Sequence, residues 1–337
     1  MKFQEEISKA LTLVNEDEKY IIFIDGKAVR TNLEDDDCII TVNNAFDGND
    51  YYNRKRDSKE IDILEHIDYA STILIGKNLN LKIIHLNDTK KYVGYNIIVK
   101  NNKKVNITNI YYAIKNGVKF LFELLCEKNS HVNLKTFTNC SNVVDIIANT
   151  YCLENAYITL DDLFLNNDQS NHLANVFLIS KNAEAKMTNV IVNSSSKEQG
   201  FDYNIYHIEG STTSKINNFG ISHNNSVIKL NNKGKIFKNA IASNLSQQTK
   251  GIILDLYSHI SANPILEIEE NDVMANHGAS IGAIDEKDLY YLMSRGLTRE
   301  DSEALLVAAF IAPYFRHLQD EKLERYIFDE VNKKLYG

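Results

Sequence analysis

Residues 175–192 read NVFLISKNAEAKMTNVIV. Two runs rich in apolar and β-branched residues flank a polar corner, Ser180-Lys181-Asn182. Apolar side chains alternate, with Val176 and Leu178 before the corner and Ala183, Ala185 and Met187 after it. Successive residues of a strand face opposite sides, so this pattern describes two short strands, each with one buried face. A two-strand unit cannot bury that face alone. Stacked copies can share one continuous core.

Copies of the unit are present on both sides. Similar segments begin near Asn96 (NIIVKNNKKVNITNIYY), Lys119 (KFLFELLCEKNSHVNLKTF) and Val143 (VVDIIANTYCLENAYITL). Others begin near Tyr203 (YNIYHIEGSTTSKINNFGI), Val227 (VIKLNNKGKIFKNAIAS) and Gly251 (GIILDLYSHISANPILEI). Their spacing lies in the solenoid range of roughly 20–50 residues. The reading is mainly β: a right-handed parallel β-helix whose corners carry Asn and Gly. An antiparallel sandwich of hairpins is the alternative, and Asn231–Gly234 (NNKG) is compatible with a hairpin turn. Abundant Asn suits tight corners, because its side chain tolerates left-handed backbone.

A solenoid needs caps. Residues 1–60 read as an N-terminal cap: an amphipathic helix (Phe3, Ile7, Ala10, Leu11, Val14), a hairpin turning at Asp25-Gly26, and a polar loop over 47–60. The β-helix core is expected over 61–283 and a helical subdomain over 284–337. In that subdomain Asp285 is an N-cap, Gly296 a stop and Thr298–Asp301 resembles a capping box. Pro313 is expected to kink or end the second helix. A last helix runs from Asp320 to Leu335, with Leu323, Tyr326, Ile327 and Val331 on one face.

Composition excludes several functions. The 337 residues carry a formal net charge of −8, and the basic runs are short, which disfavours a phosphate-binding surface and hence nucleic acid. No run of about 18 apolar residues suggests a membrane helix, and Met1–Glu6 has no signal-peptide character, so a cytoplasmic location is expected. Cys38, Cys126, Cys140 and Cys152 match no CxxC pattern and are expected to be free thiols. No GxxxxGK[ST] occurs, so the chain is not expected to hydrolyse ATP, and no defensible hydrolase constellation is present.

Residues 264–296 read PILEIEENDVMANHGASIGAIDEKDLYYLMSRG. The segment resembles the signature of the SufB/SufD family of iron–sulfur cluster assembly scaffolds. The residues that carry the resemblance are Pro264, Leu266, Ile268, Asp272, Val273, His277, Gly278, Ala279, Gly282, Tyr291, Leu292, Ser294, Arg295 and Gly296. Residues 21–29 (IIFIDGKAV) and 81–88 (LKIIHLND) agree more loosely.

The resemblance implies a non-catalytic scaffold protomer. Its partners would be a SufC-like ABC ATPase, docked through the C-terminal helices, and a SufB-like subunit or a second copy of itself. It also implies no permanently bound cofactor, with a transient iron–sulfur cluster at the dimer interface. His277 is the candidate cluster ligand. Tyr290, Tyr291, Leu292 and Arg295 are candidate ATPase contacts, because aromatics and Arg commonly anchor interfaces. The absence of Cys after Cys152, and Gly278 following His277, favour a SufD-like over a SufB-like role.

Alternatives remain at this point. A SufB-like or homodimeric scaffold would itself hold the nascent cluster, for which Cys126, Cys140 and Cys152 would have to converge. Glu267 and Glu269 could supply oxygen ligands or line a solvated strand. His207, His223 and His259 fall in different repeats and could stack. A β-helix carbohydrate enzyme would need paired carboxylates, of which Asp161-Asp162 is the clearest pair. A structural solenoid is the last alternative.

Overall fold

The computed structural model describes residues 4–34, 37–43, 56, 58–67, 70–316, 318 and 320–337. Helix α1 (Gln4–Thr12) leads to strands β1 (Lys19–Ile24), β2 (Lys27–Thr31) and β3 (Cys38–Asn43), then α2 (Ser58–His66) and β4 (Ala70–Ile75). The solenoid continues with β5 (Leu79–Asn87), β6 (Tyr92–Val99), β7 (Lys104–Ile114), β8 (Val118–Cys126), β9 (His131–Thr138), β10 (Val144–Cys152) and β11 (Tyr157–Phe164). It proceeds through β12 (Ser170–Leu178), β13 (Glu184–Asn193), β14 (Glu198–His207), β15 (Thr213–Ser222) and β16 (Val227–Ile236). It ends with β17 (Asn244–Ile253), β18 (His259–Ile268) and β19 (Met274–Gly282), followed by α3 (Glu286–Ser294), α4 (Arg299–Phe315) and α5 (Glu321–Tyr336).

The strands form two facing sheets. The first, of ten strands, runs β19-β17-β15-β13-β11-β9-β7-β5-β1-β2; the second, of nine, runs β18-β16-β14-β12-β10-β8-β6-β4-β3. Each solenoid strand pairs in parallel with its equivalent one turn away, 24 to 32 residues along the chain. This is the parallel β-solenoid that the alternation predicts. Antiparallel pairing occurs at β1–β2 and β3–β4. Asn231–Gly234 lies inside β16 rather than at a hairpin turn, and Gly251 lies late in β17 rather than at the start of a repeat.

The corners explain the Asn content. Asn102, Asn129, Asn155 and Asn182 all adopt left-handed φ between 55° and 60°. Each of the last three donates its side-chain amide to the Oδ1 of the one before, at 2.9–3.0 Å. Asn therefore supplies both the turn and a bond to the next turn. Gly76, Gly117 and Gly210 also lie at corners between strands, as expected, but the described glycines with positive φ are Gly26 and Gly296.

The core between the sheets is a stack of inward rows such as Val99, Cys126, Cys152 and Leu178. A second apolar layer covers the outside of the first sheet. There Ile84, Ile110, Phe137, Leu163 and Val190 pack against Val307, Ile311 and Tyr314 of α4 and Leu323, Ile327 and Val331 of α5. The C-terminal helices thus lie on the solenoid. Asp285, Thr298 and Asp320 are their N-caps. Pro313 sits two residues before the end of α4, so the helix stops within a turn of it, as expected.

The polar segment expected to be a loop over 47–60 differs in part. Residues 47–55 lie outside the described residues, but Ser58–His66 forms α2, whose Ile63 packs on Leu121 and Ile147 of the second sheet. Beneath it Arg56 donates to Glu123 at 2.7 Å and Asn149 donates to Glu60 at 2.7 Å. The tertiary partners of that short helix, rather than local propensity, make it stable. No helix among the described residues is long and apolar enough to cross a membrane.

Candidate functional site

The two ends of the solenoid are finished differently. At the N-terminal end, the β1–β2 hairpin turns at Asp25 (φ 49°) and Gly26 (φ 82°). The Asp25 carboxylate accepts from the backbone of Asp88 at 2.8 Å. Lys82 is fully buried, and its ammonium donates to Leu13 O, Glu18 Oε2 and Asp320 Oδ2, each at 2.6 Å. One cation thereby ties together the α1–β1 segment, β5 and the start of α5.

At the other end, β18 and β19 are the outermost strands of their sheets. Among the described residues no further strand pairs with them, and much of their inward row is half-buried or exposed. Apolar side chains stand exposed around this rim: Leu256 (94%), Tyr257 (79%), Met274 (65%), Ile241, Ile265 and Ile268. An uncovered parallel edge with apolar neighbours is a template for pairing with another chain.

His277 belongs to this rim. It sits opposite Gln247 of β17, which sits opposite Ile216 of β15, so its side chain occupies the last position of an inward row. Gln247 is buried with both amide atoms lacking a hydrogen-bond partner, and His277 is exposed. Gly278 and Gly282 are next along β19; neither has positive φ, and a Cβ at either would meet nothing within 4 Å. Close packing within this chain does not require them. Among the described residues no three His, Cys, Asp or Glu side chains form a metal-binding group, so His277 is not part of one.

The remaining candidates separate. Glu267 is bound to Lys233 at 2.6 Å, and Glu269 to Lys235 at 2.8 Å, on the solvated face of the second sheet. His207 is buried against Thr212 and Ser214, His223 lies 3.3 Å from Asp255, and His259 is exposed opposite Val227. They do not stack. Cys126 and Cys152 are neighbours in register, with thiols in hydrogen-bond contact. Cys140 lies outside that row, its thiol against Tyr111 O. Burial raises the Cys126 and Cys140 thiols well above their usual range, which keeps them protonated and poor ligands.

The carboxylate pair Asp161-Asp162 is split by the pleat. Asp161 faces outward and accepts from Lys135 at 2.7 Å, whereas Asp162 is buried between the sheets. The two cannot act together on a bound sugar.

On α3, Leu289 is buried and Leu292 half-buried, while Tyr290 (75%) and Tyr291 (56%) are exposed. Arg295 lies over the Tyr291 ring at 5.3 Å. Met293, Leu297 and Leu305 extend the exposed apolar surface. Glu286 of α3 pairs with Arg299 of α4 at 2.7 Å, which fixes the two helices relative to one another. Sequence reading singles out His277 and the α3 residues and passes over Leu256, Tyr257 and Met274, which the fold leaves exposed. Their signal is that β18 and β19 have no successor to pair with.

Comparison with known proteins bears on this arrangement. Residues 86–310 match the family model described as SUF system FeS cluster assembly, SufBD core domain. The iron–sulfur cluster assembly protein SufD of Bacillus subtilis (strain 168) is 32% identical over 146 residues, 43% of this chain and 33% of that protein. SufD of Escherichia coli (strain K12) is 28% identical over 102 residues, 30% of this chain and 24% of that protein. A SufBD family protein of Mycobacterium bovis is 23% identical over 232 residues, 68% of this chain and 27% of that protein. The matched stretch spans a third or less of each of these relatives. The family match covers well over half of this chain, and the parallel solenoid agrees with it: the chain belongs to the SufBD family of the SUF system for iron–sulfur cluster assembly.

Proposed function

We propose that this chain is a SufD-like, non-catalytic scaffold subunit of a SufBCD-type complex in the cytoplasm. It binds a SufC-like ABC ATPase through its C-terminal helices, with Tyr290, Tyr291, Leu292 and Arg295 as contacts. It pairs through β18, β19 and their rim with a SufB-like subunit or a second copy of itself. The observation that carries the reading is the uncapped end, where exposed Leu256, Tyr257, Ile265 and Met274 border two free strand edges. A stable monomer covers such edges or blunts them with charge.

The iron–sulfur cluster is cargo in this reading. His277 offers one imidazole at the rim, and the remaining ligands come from the opposing protomer, because no metal-binding group of three side chains forms among the described residues. The lack of Cys after Cys152 favours the SufD-like role over one that holds the cluster by itself.

The test is co-purification from the native cells with two surface variants. Tyr290→Ala combined with Tyr291→Ala should lose the ABC ATPase and keep the scaffold partner. Ile265→Arg should lose the scaffold partner and keep the ATPase. Retention of both partners by both variants would sink the proposed surfaces. Failure of the wild-type chain to bring down any ABC ATPase would sink the function.

A further inference from the structure

The solenoid interior contains a titratable cluster that no docking role uses. Asp162 is 6% exposed, and His172 lies across from it on β12, with Nε2 3.7 Å from Oδ2. Both ring nitrogens of His172 and the Tyr203 hydroxyl lack a hydrogen-bond partner. A cavity of about 20 Å³, lined by Tyr111, Thr136, Asp162 and His172 among others, lies between the sheets. It has room for one water.

Desolvation outweighs the attraction between these two groups. It raises the Asp162 carboxyl to about 7 and lowers His172 to about 3. Near pH 6 the pair is therefore a neutral acid beside a neutral imidazole, and its ion-pair geometry is not an ion pair. Thr136 bonds the Asp162 carboxyl. The register neighbour of Asp162 is Asn189, whose buried Oδ1 has no donor. A protonated Asp162 carries a hydroxyl one strand away from it. It heads a buried seam in which Asn189 donates to Asn218, and Asn218 to Asn232 and Thr249.

The same two strands hold α4 from outside. Lys135, next to Thr136, donates to Asp161 at 2.7 Å and to Tyr314 O at 2.8 Å. The Tyr314 hydroxyl donates to Thr136 O at 3.2 Å. Asp162 thus touches, through Thr136 and its neighbour Asp161, both partners of the Lys135 clamp. The ionisable groups facing it are Asp161, Lys135, His172, Tyr111, Tyr203 and Tyr314.

We infer that Asp162 is a proton switch in the solenoid core, and that its protonation state sets how firmly α4 is held on the first sheet. Protonated, it closes the seam and leaves Lys135 to Asp161 and Tyr314. Ionised, it adds a negative charge behind Asp161, withdraws its donor from the seam and takes up the water that the cavity admits. The inference does not depend on ATPase binding.

Hydrogen exchange of the α4 amides tests it on the full chain, at pH 6 and pH 8, after correction for intrinsic exchange. Protection of residues 307–315 should fall at least threefold at pH 8 in the wild type and stay unchanged in Asp162→Asn. An equal fall in both, or no fall in the wild type, overturns the switch. Should Asp162→Asn not fold, carbon-13 NMR of aspartate-labelled wild type decides. A carboxyl titrating near neutrality supports the switch; all carboxyls titrating in the ordinary range overturn it.

Discussion

The two ends of this solenoid are built from the same kind of strand and end in opposite conditions. At the first, β1–β2 and β3 extend the two sheets, and α1 and the Lys82 cluster close the outer face of the first sheet. At the last, the rows stop at His277 and Ile268 with nothing above them. A repeat is stable through its neighbours, so an end must be capped from within the chain or covered from outside it. The first end serves the fold. The second is the end that the proposed partner would cover.

The largest expected effect separates the interior histidines from the rim. Burial lowers His85, His172 and His207 to about 3 in the folded protein. The unfolded chain then binds more protons below about pH 6.5, so stability is full above that pH and is lost as pH falls towards 3. Asp162, raised to about 7, acts in the opposite sense, favouring the fold as pH falls from 7 towards 4. Three groups outweigh one. Calorimetry should show stability falling by several kcal/mol between pH 6.5 and 4. His277→Gln should leave that acid limb in place; a variant without the limb would mean that the rim, not the core, governs acid stability.

At the capped end, Lys82→Met leaves Glu18 and Asp320 without their shared cation. The expected loss is about 3–5 kcal/mol by denaturant titration, because a buried carboxylate is left unpaired. A loss below about 1 kcal/mol would mean that the cluster does not hold the cap.

Between the ends, Asn155→Ala forces a non-Gly, non-Asn residue into left-handed backbone and breaks two ladder bonds. About 1–2 kcal/mol should be lost, and Asn155→Gly should recover part of it.

At the open end, Gly278→Val should change the stability of the isolated protomer by less than about 0.5 kcal/mol, since the space beside it is free. It should nevertheless weaken association in sedimentation. Normal association would remove Gly278 from the proposed interface.

The sequence foretold the stacked units, the helix caps and the N-terminal hairpin because each is a local property. Alternation along Val176–Met187, φ > 0 at Asp25-Gly26 and the Asp285 cap are set within a few residues. It misplaced what depends on stacking. Gly251 resembles the start of a unit, yet its strand lies in the other sheet from Val227, because strand order is decided by pairing over about 30 residues rather than by composition. α2 was hidden in a polar stretch because its stability comes from Leu121 and Ile147.

What the chain alone determined is a repeating unit with one apolar face, Asn corners and a family signature around His277. What only the tertiary structure decided is which side each acid faces and which end stays open. Asp161 and Asp162 are adjacent in sequence, but the pleat sends one to Lys135 and the other into the core. Leu256 and Tyr257 read like any other corner, and they are exposed because no next turn exists to cover them. Burial is a property of neighbours in space, and periodicity fixes only which side of a strand can be buried.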